Sequence, residues 1–220
     1  MSKGPFDPSF DQLPARLPIF PLTGVLLLPR GRLPLNIFEP RYLAMVRHAL
    51  GQGRMIGMIQ PREGRGDAGD PPLYRTGCVG RITEFREETA DGRFLVTLLG
   101  VCRFEIAEEP PRTDLFRIVV PEWSRWRSDL DSVEPALDRD RLLRTLKPYF
   151  QRHGITADLG AIAAAPAERL VTSLAMICPF PPRDKQALLE ADAQARGELL
   201  TALIEMAVRG NVDEDNGARN

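Results

Sequence analysis

The 220 residues are 43% hydrophobic and 27% charged, a composition typical of a globular chain long enough to bury an apolar core. The 29 basic and 30 acidic residues give a net charge of −1, divided as +1 over residues 1–122 and −2 over the rest. This balance excludes a strongly basic nucleic-acid coat and an acidic chaperone tail as descriptions of the whole chain.

Three cysteines, Cys78, Cys102 and Cys178, stand far apart among apolar neighbours, and the chain has only two histidines. Because a zinc site needs four ligands and usually one close pair, we expect no metal, and nothing in the sequence indicates a cofactor. The amino end lacks the apolar run of a signal peptide, and no stretch is long and apolar enough to span a membrane. The sequence therefore predicts a cytoplasmic protein in a reducing compartment.

The first half reads as short strands punctuated by glycine and proline. Strands are predicted at 17–22, 25–29, 32–38, 54–60, 79–87, 93–99, 102–106 and 115–120. One helix interrupts them: it begins at Glu39 and Pro40, because proline suits the first helical position, and it stops at Gly51. Residues 61–72 contain no large apolar side chain and are predicted to form a mobile loop.

Two local patterns indicate which strands are neighbours and which side chains point inward. Asp91-Gly92 lies between apolar runs and predicts a β-hairpin. Residues 102–106 alternate, so we expect Cys102, Phe104 and Ile106 to point inward and Arg103 and Glu105 to point outward. No βαβ rhythm is present, which disfavours a doubly wound nucleotide fold.

The second half is helical. Helices are predicted over 135–154, over 156–165 with Thr156 as cap, from Pro166 onward, over 184–190, and after a cap at Asp192. The fold class expected is therefore α+β, with an amino-terminal β-rich, antiparallel or mixed, partly closed barrel holding one helix and a carboxy-terminal α-helical bundle. The predicted boundaries are 13–122 for the β-rich domain, 123–134 for a linker and 135–209 for the helical subdomain, with 1–12 and 210–220 disordered.

No catalytic constellation can be assembled from these residues. The chain has no GxSxG sequence and no Gly-Lys dipeptide, so the motifs of a serine hydrolase and of a phosphate-binding loop are both missing. Ser173 and Lys185 could be imagined as a Ser-Lys pair, but we prefer the structural interpretation, in which Ser173 is a polar residue within an apolar helix stripe and Lys185 a loop lysine. The sequence predicts a protein that is not an enzyme.

A longer motif carries a family resemblance. It consists of Leu17-Pro-Ile-Phe-Pro-Leu, Val25-Leu-Leu-Leu-Pro and Leu33-Pro-Leu-Asn-Ile-Phe-Glu-Pro-Arg-Tyr, followed by Gly100-Val-Cys-Arg-Phe-Glu-Ile and, in the helical half, Asp184-Lys-Gln-Ala-Leu-Leu-Glu. Over about 14–208 the chain resembles the amino-terminal substrate-binding domain of the Lon ATP-dependent proteases. The resemblance implies a PUA-like pseudo-barrel followed by helices, free-standing and without the ATPase and Ser-Lys peptidase modules of full-length Lon. Gly197 departs from the large aliphatic residue more common there in the family.

The resemblance implies a binding protein for polypeptide, either unfolded segments or a protein partner, with a link to proteolysis or quality control. The alternative is an RNA-binding module, since pseudo-barrels also occur among these; the near-neutral β half argues against nucleic acid. No membrane contact is expected, and the oligomeric state stays open.

Five residues are candidates for contacting polypeptide: Glu39, Arg41, Tyr42, Trp123 and Trp126. Each also has a structural interpretation. Glu39 suits a helix start, Tyr42 belongs to the apolar stripe of its helix, and the tryptophans suit packing across the domain seam. Arg93 and Arg103 could likewise fix strands by pairing with Glu39 or Glu105.

Overall fold

The computed structural model describes residues 8–62, 70–88, 92–131, 135 and 137–209. These residues divide into two compact units. The β unit comprises residues 8–131, with those gaps, and Pro179–Leu189; the helical unit comprises the described residues of 135–178 and 190–209.

The β unit contains a six-stranded sheet that closes on itself. Its strands are β1 (Leu17–Pro21), β2 (Arg32–Ile37), β3 (Met55–Ile59), β4 (Thr76–Glu88), β5 (Arg93–Glu108) and β6 (Arg117–Glu122). They follow the order β2-β5-β4-β3-β1-β6, and β6 also pairs with β5. β1 and β3 run parallel and the other pairs are antiparallel, so the sheet is a mixed barrel with β2 as an extra strand beside it. The predicted α+β class with a β-rich pseudo-barrel is confirmed.

The barrel interior is filled by alternate residues of these strands. Phe104 is fully buried within a cluster that includes Leu17, Ile19, Val79 and Val119. The cluster accommodates this ring because two neighbouring positions are glycine: a Cβ on Gly57 or Gly77 would lie within 3.0 Å of ring atoms of Phe104.

The α-helix predicted in the first half of the chain, α1, spans Pro40–Gly51. Pro40 occupies its start and Gly51 is its last residue, as predicted. Tyr42, Met45, Val46 and Ala49 form its buried stripe.

Two strand predictions are wrong. Residues 25–29 form an irregular segment, although Leu26, Leu27 and Leu28 are almost completely buried. Their burial in a loop produces the same apolar run that a buried strand would. Residues 93–99 and 102–106 are one continuous strand, β5, because Gly100 stays within the ladder and pairs with Gly80.

Residues after β6 continue to pack on the β unit. Ser124–Leu130 forms a 3-10 helical segment whose Trp126 belongs to the apolar cluster around Phe104. α5 (Pro182–Glu190) also packs on the β unit. Its Lys185 Nζ donates a hydrogen bond to the Gly24 carbonyl at 2.8 Å, and its Gln186 Nε2 donates one to the Thr76 carbonyl at 3.2 Å. The domain boundaries at 122 and 135 stay predictions.

The helical unit is built from α2 (Arg139–Arg152), α3 (Leu159–Ala164), α4 (Ala167–Ile177) and α6 (Ala193–Arg209). The predicted cap of α3 is wrong: Asp158, not Thr156, accepts hydrogen bonds from the Gly160 and Ala161 amides. The predicted cap at Asp192 is confirmed, because its carboxylate accepts a hydrogen bond from the Ala195 amide at 2.7 Å. Of the predicted loop 61–72 and the predicted disordered ends, residues 63–69, 1–7 and 210–220 lie outside the described residues.

Candidate binding surface

The start of α1 places two of the candidate residues at the surface as an ion pair. Glu39 holds the N-cap position in an extended conformation, and its carbonyl accepts the amides of Tyr42 and Leu43. Its carboxylate accepts from Arg41, with Nε at 3.0 Å and Nη2 at 2.8 Å. Both side chains are more than a third exposed, so the pair contributes little to stability and remains accessible to another molecule.

Tyr42, the next candidate, faces the interior. Its ring centroid lies 4.2 Å from that of Phe20, and the Arg41 guanidinium lies over the ring at 4.5 Å. Burial raises the pKa of the Tyr42 phenol, and the positive charge of Arg41 partly offsets this effect. Tyr42 is 7% exposed, and its geometry is that of a core residue.

Replacing Tyr42 by alanine is expected to lower the free energy of unfolding by about 2 to 4 kcal/mol, because the contact with Phe20 is lost. The matched Tyr42→Phe change keeps the ring and should cost less than about 1.5 kcal/mol. Urea denaturation of both variants measures the difference. An unchanged denaturation curve for Tyr42→Ala, together with lost polypeptide binding, would instead make Tyr42 a recognition residue.

The two candidate tryptophans lie after β6. Trp126 is only 5% exposed, and its ring is covered on two sides by guanidinium groups, Arg103 at 3.8 Å and Arg125 at 4.5 Å. Trp123 is partly buried: its ring meets Phe104 edge to face at 5.8 Å, and its Nε1 donates to the Pro14 carbonyl at 3.3 Å. Both rings are therefore engaged in packing within the β unit.

A buried ion pair beneath Trp126 was not found by sequence reasoning. Arg103 is 3% exposed, and its Nε and Nη2 donate to the two carboxylate oxygens of Asp129 at 2.8 and 2.7 Å. The Arg103 amide also donates to Asp129, and Nη1 donates to the Leu189 carbonyl. The predictions that Arg103 points into solvent and pairs with Glu39 or Glu105 are wrong; Glu105 pairs with Arg125 instead. The 3-10 segment covers the outer face of β5 here.

The surface of the β unit displays several large apolar side chains that no local sequence pattern distinguishes from buried ones. They are Phe38 (63% exposed), Leu115 (67%), Phe85 (40%) and Leu95 (38%). Phe38 directly follows β2, and Leu95 of β5 stands opposite Asn36 of β2. Two of the four therefore lie at the end of the barrel where β2 is added, next to the Glu39 and Arg41 pair.

Other kinds of site find no support in the described part of the chain. Those residues contain no grouping of three or more histidine, cysteine or acidic side chains placed to bind a metal ion. None of the described helices has the length and hydropathy needed to cross a membrane. Burial raises the pKa of the Cys102 thiol to about 12, with Asp129 adding to the effect, so this cysteine is a poor nucleophile.

Comparison with known proteins identifies the fold. A family model described as the ATP-dependent protease La (LON) substrate-binding domain matches residues 16–206. The Lon protease of Anaeromyxobacter dehalogenans is 27% identical over 199 residues, which cover 88% of this chain and 23% of that protein. Lon protease 2 of Myxococcus xanthus is 26% identical over 208 residues, with coverages of 88% and 24%. The chain thus spans less than a quarter of the length of either relative.

Solved structures give the same result. The crystal structure of a Lon N-terminal domain protein from Xanthomonas campestris matches with a TM-score of 0.59 and 26% identity, covering 85% of this chain and 97% of that one. The N-terminal domain of the Mycobacterium avium complex Lon protease matches with a TM-score of 0.62, covering 86% and 98%. At 15% identity, the second match shows the fold alone.

Proposed function

Because the chain belongs to the Lon substrate-binding domain family, we propose that it binds polypeptide, either unfolded segments or a protein partner, and has no catalytic activity of its own. The observation that carries this proposal is the family match over residues 16–206. The 220 residues contain neither the phosphate-loop motif nor the GxSxG sequence. A role in proteolysis or protein quality control belongs to the same proposal.

We assign recognition to the exposed apolar side chains of the β unit. Phe38 and Leu95 offer contact area, and the accessible Glu39 and Arg41 pair offers polar contacts at the rim. In this proposal Tyr42, Trp123 and Trp126 act mainly from beneath the surface, by holding α1 and the 3-10 segment in place.

The salt dependence of binding tests the proposal. A labelled unfolded polypeptide is expected to bind with an affinity that changes less than about fivefold between 50 and 200 mM salt, because apolar contacts are not screened and only rim charges contribute. A nucleic-acid footprint of six phosphates would weaken about a thousandfold over the same range. Fluorescence-anisotropy titrations of the polypeptide and of labelled RNA at both salt concentrations measure this. Saturable, steeply salt-dependent RNA binding without polypeptide binding would replace the proposed function by the RNA alternative.

A further inference from the structure

The outer edge of β2 presents backbone groups that no other described strand covers. The Gly100 amide donates to the Gly31 carbonyl at 2.8 Å, so Gly31 faces β5. Facing alternates along an antiparallel strand, and the residues that face away from β5 are therefore Arg32, Pro34 and Asn36. Proline agrees with this phase, because a residue without an N–H is tolerated at the outer side of an edge strand. Arg32 and Asn36 each offer a donor and an acceptor there, and Pro34 offers an acceptor.

The two faces of β2 differ in polarity, and an added strand would extend both of them. Leu33 and Leu35 are partly buried and Ile37 is buried on one face, whereas the three outward-facing residues have exposed side chains on the other. Phe38, at the end of the strand, is 63% exposed. A segment that matches this edge has apolar side chains at alternate positions and polar side chains between them.

The other uncovered margin of the described sheet is protected by charge. β3 pairs with β4 only as far as Arg81, so residues 82–88 of β4 have β5 on one side and no described strand on the other. That margin carries Glu84, Arg86, Glu87 and Glu88, the charged residues that blunt an edge against pairing. β2 carries one charged residue, Arg32, at its far end, and its side chain is paired with Glu84 at 2.5 Å.

Pro34 also bears on which chain occupies the β2 edge. If two copies paired through β2 with Pro34 opposite Pro34, the central pair would contain no N–H donor at all. A client segment with an N–H at every position loses only the single bond that Pro34 itself lacks. The edge therefore discriminates against self-pairing while it still accepts another extended chain.

We propose that the β2 edge captures an extended polypeptide segment as an added strand, with main-chain hydrogen bonds to Arg32, Pro34 and Asn36 and an apolar contact at Phe38. This inference rests on the proposed function and specifies its binding mode and its class of ligand. The ligand is an unfolded segment with alternating apolar and polar residues, recognised through its backbone.

Backbone methylation of a peptide tests the hydrogen bonds without altering the protein. The probe is a fluorescein-labelled peptide of about ten residues that alternates valine and threonine, within the usual length of a strand. In one version the threonine amides are N-methylated, and in the other the valine amides. An added strand points only one of these two sets toward β2, so one version should bind at least tenfold more weakly and the other should bind nearly as well as the parent. Loss with methylated threonine indicates antiparallel addition, and loss with methylated valine indicates parallel addition.

Two variants, Asn36→Pro and Pro34→Val, and the control Asn36→Ala test the edge from the protein side. Asn36→Pro removes an outward-facing donor and is expected to weaken binding of the unmethylated peptide about fivefold to tenfold, whereas Asn36→Ala keeps the N–H and should change it less than twofold. Pro34→Val adds an outward-facing donor and should strengthen binding about fivefold. Amide exchange by NMR supplies a readout that needs no variant: the Arg32 and Asn36 amides should become protected when the peptide binds.

The outcomes separate this inference from the proposed function. If the peptide binds but both methylated versions behave alike and the Arg32 and Asn36 amides stay unprotected, the β2 edge is not the site and polypeptide binding stands. If no unfolded polypeptide binds, both proposals fail. If those amides are protected in the free protein, increasingly so at higher concentration, a second copy occupies the edge and the inference is overturned.

Discussion

Asp129→Asn is expected to lower the free energy of unfolding by about 3 to 5 kcal/mol, because it removes the carboxylate that accepts two hydrogen bonds from the buried guanidinium of Arg103. The substitution conserves size, so the loss reports on charge and hydrogen bonding rather than on a cavity. Urea denaturation followed by tryptophan fluorescence is a direct measurement, since the chain has two tryptophans and the Trp126 ring lies against Arg103.

The double variant Arg103→Met with Asp129→Asn makes the prediction sharper. It removes the charge of Arg103 together with that of Asp129 and should be more stable than Asp129→Asn alone, although the Leu189 carbonyl then loses a donor. The exposed pair of Arg32 and Glu84 provides the control, because Arg32→Ala should leave the denaturation midpoint almost unchanged. A double variant less stable than the single one would show that packing by the arginine side chain, and not its charge, dominates at this position.

Gly100→Ala is expected to destabilise the β unit by about 3 kcal/mol or more, because the added Cβ would lie 2.0 Å from the Leu28 carbonyl oxygen. The neighbouring backbone has little freedom to move away. The Gly100 amide donates to Gly31 at 2.8 Å, and its carbonyl accepts the Arg30 amide at 2.7 Å. Relief of the overlap would therefore break the hydrogen bonds that attach the loop before β2 to β5.

Gly51→Ala is the matched control. A Cβ on Gly51 meets no atom within 4 Å, and this residue ends α1 in a helical conformation, so the change should alter stability by no more than about 0.5 kcal/mol. Thermal denaturation of both variants measures the contrast. Equal melting temperatures for Gly100→Ala and Gly51→Ala would mean that the approach of Leu28 to β5 is looser than described.

Substitutions at Gly100 and at Asp129 are expected to affect polypeptide binding differently. Gly100 anchors the segment that leads into β2, and β2 carries the edge on which the inference of strand capture rests. A partly folded Gly100→Ala variant is therefore expected to lose polypeptide capture together with stability, whereas Gly51→Ala keeps both. Asp129 lies in the 3-10 segment, which packs elsewhere on β5. A substitution of Asp129 that leaves the protein folded is therefore expected to lower stability without loss of polypeptide capture.

Local patterns determined much of the first half of the fold. Proline at position 40 and glycine at position 51 set the limits of α1, and Asp91-Gly92 indicated the hairpin between β4 and β5. Period-two alternation placed Cys102 and Phe104 inside the barrel, where both are fully buried. Each of these features depends on backbone preferences or side-chain spacing over a few residues, and for that reason the sequence alone reveals it.

In the helical half, one helix cap was predicted correctly and another was not. Asp192 was recognised as a cap because its position before an apolar stripe is a local signal, confirmed by the bond from the Ala195 amide. The cap at Asp158 was missed because Thr156, two residues earlier, carries an equally suitable side chain. Only the backbone path decides which of two such residues meets the first free amides.

Tertiary structure decided the features that depend on residues far apart in the chain. Alternation predicted Arg103 to be exposed, but the 3-10 segment returns over this face of β5 and supplies Asp129, 26 positions along the chain. Leu26 to Leu28 are buried without forming a strand because their partners are β5 and its glycine, not a ladder of their own. The edge of β2 also depends on residues far apart in the chain: β5 pairs with β4, with β2 at residues 94–99 and with β6 at residues 105–108, and no described strand pairs with the other side of β2. The motifs around residues 17–42 and 100–106 carried the resemblance to the family, and the strand pattern indicated a barrel, while the closing of the sheet determined which strand stays uncovered.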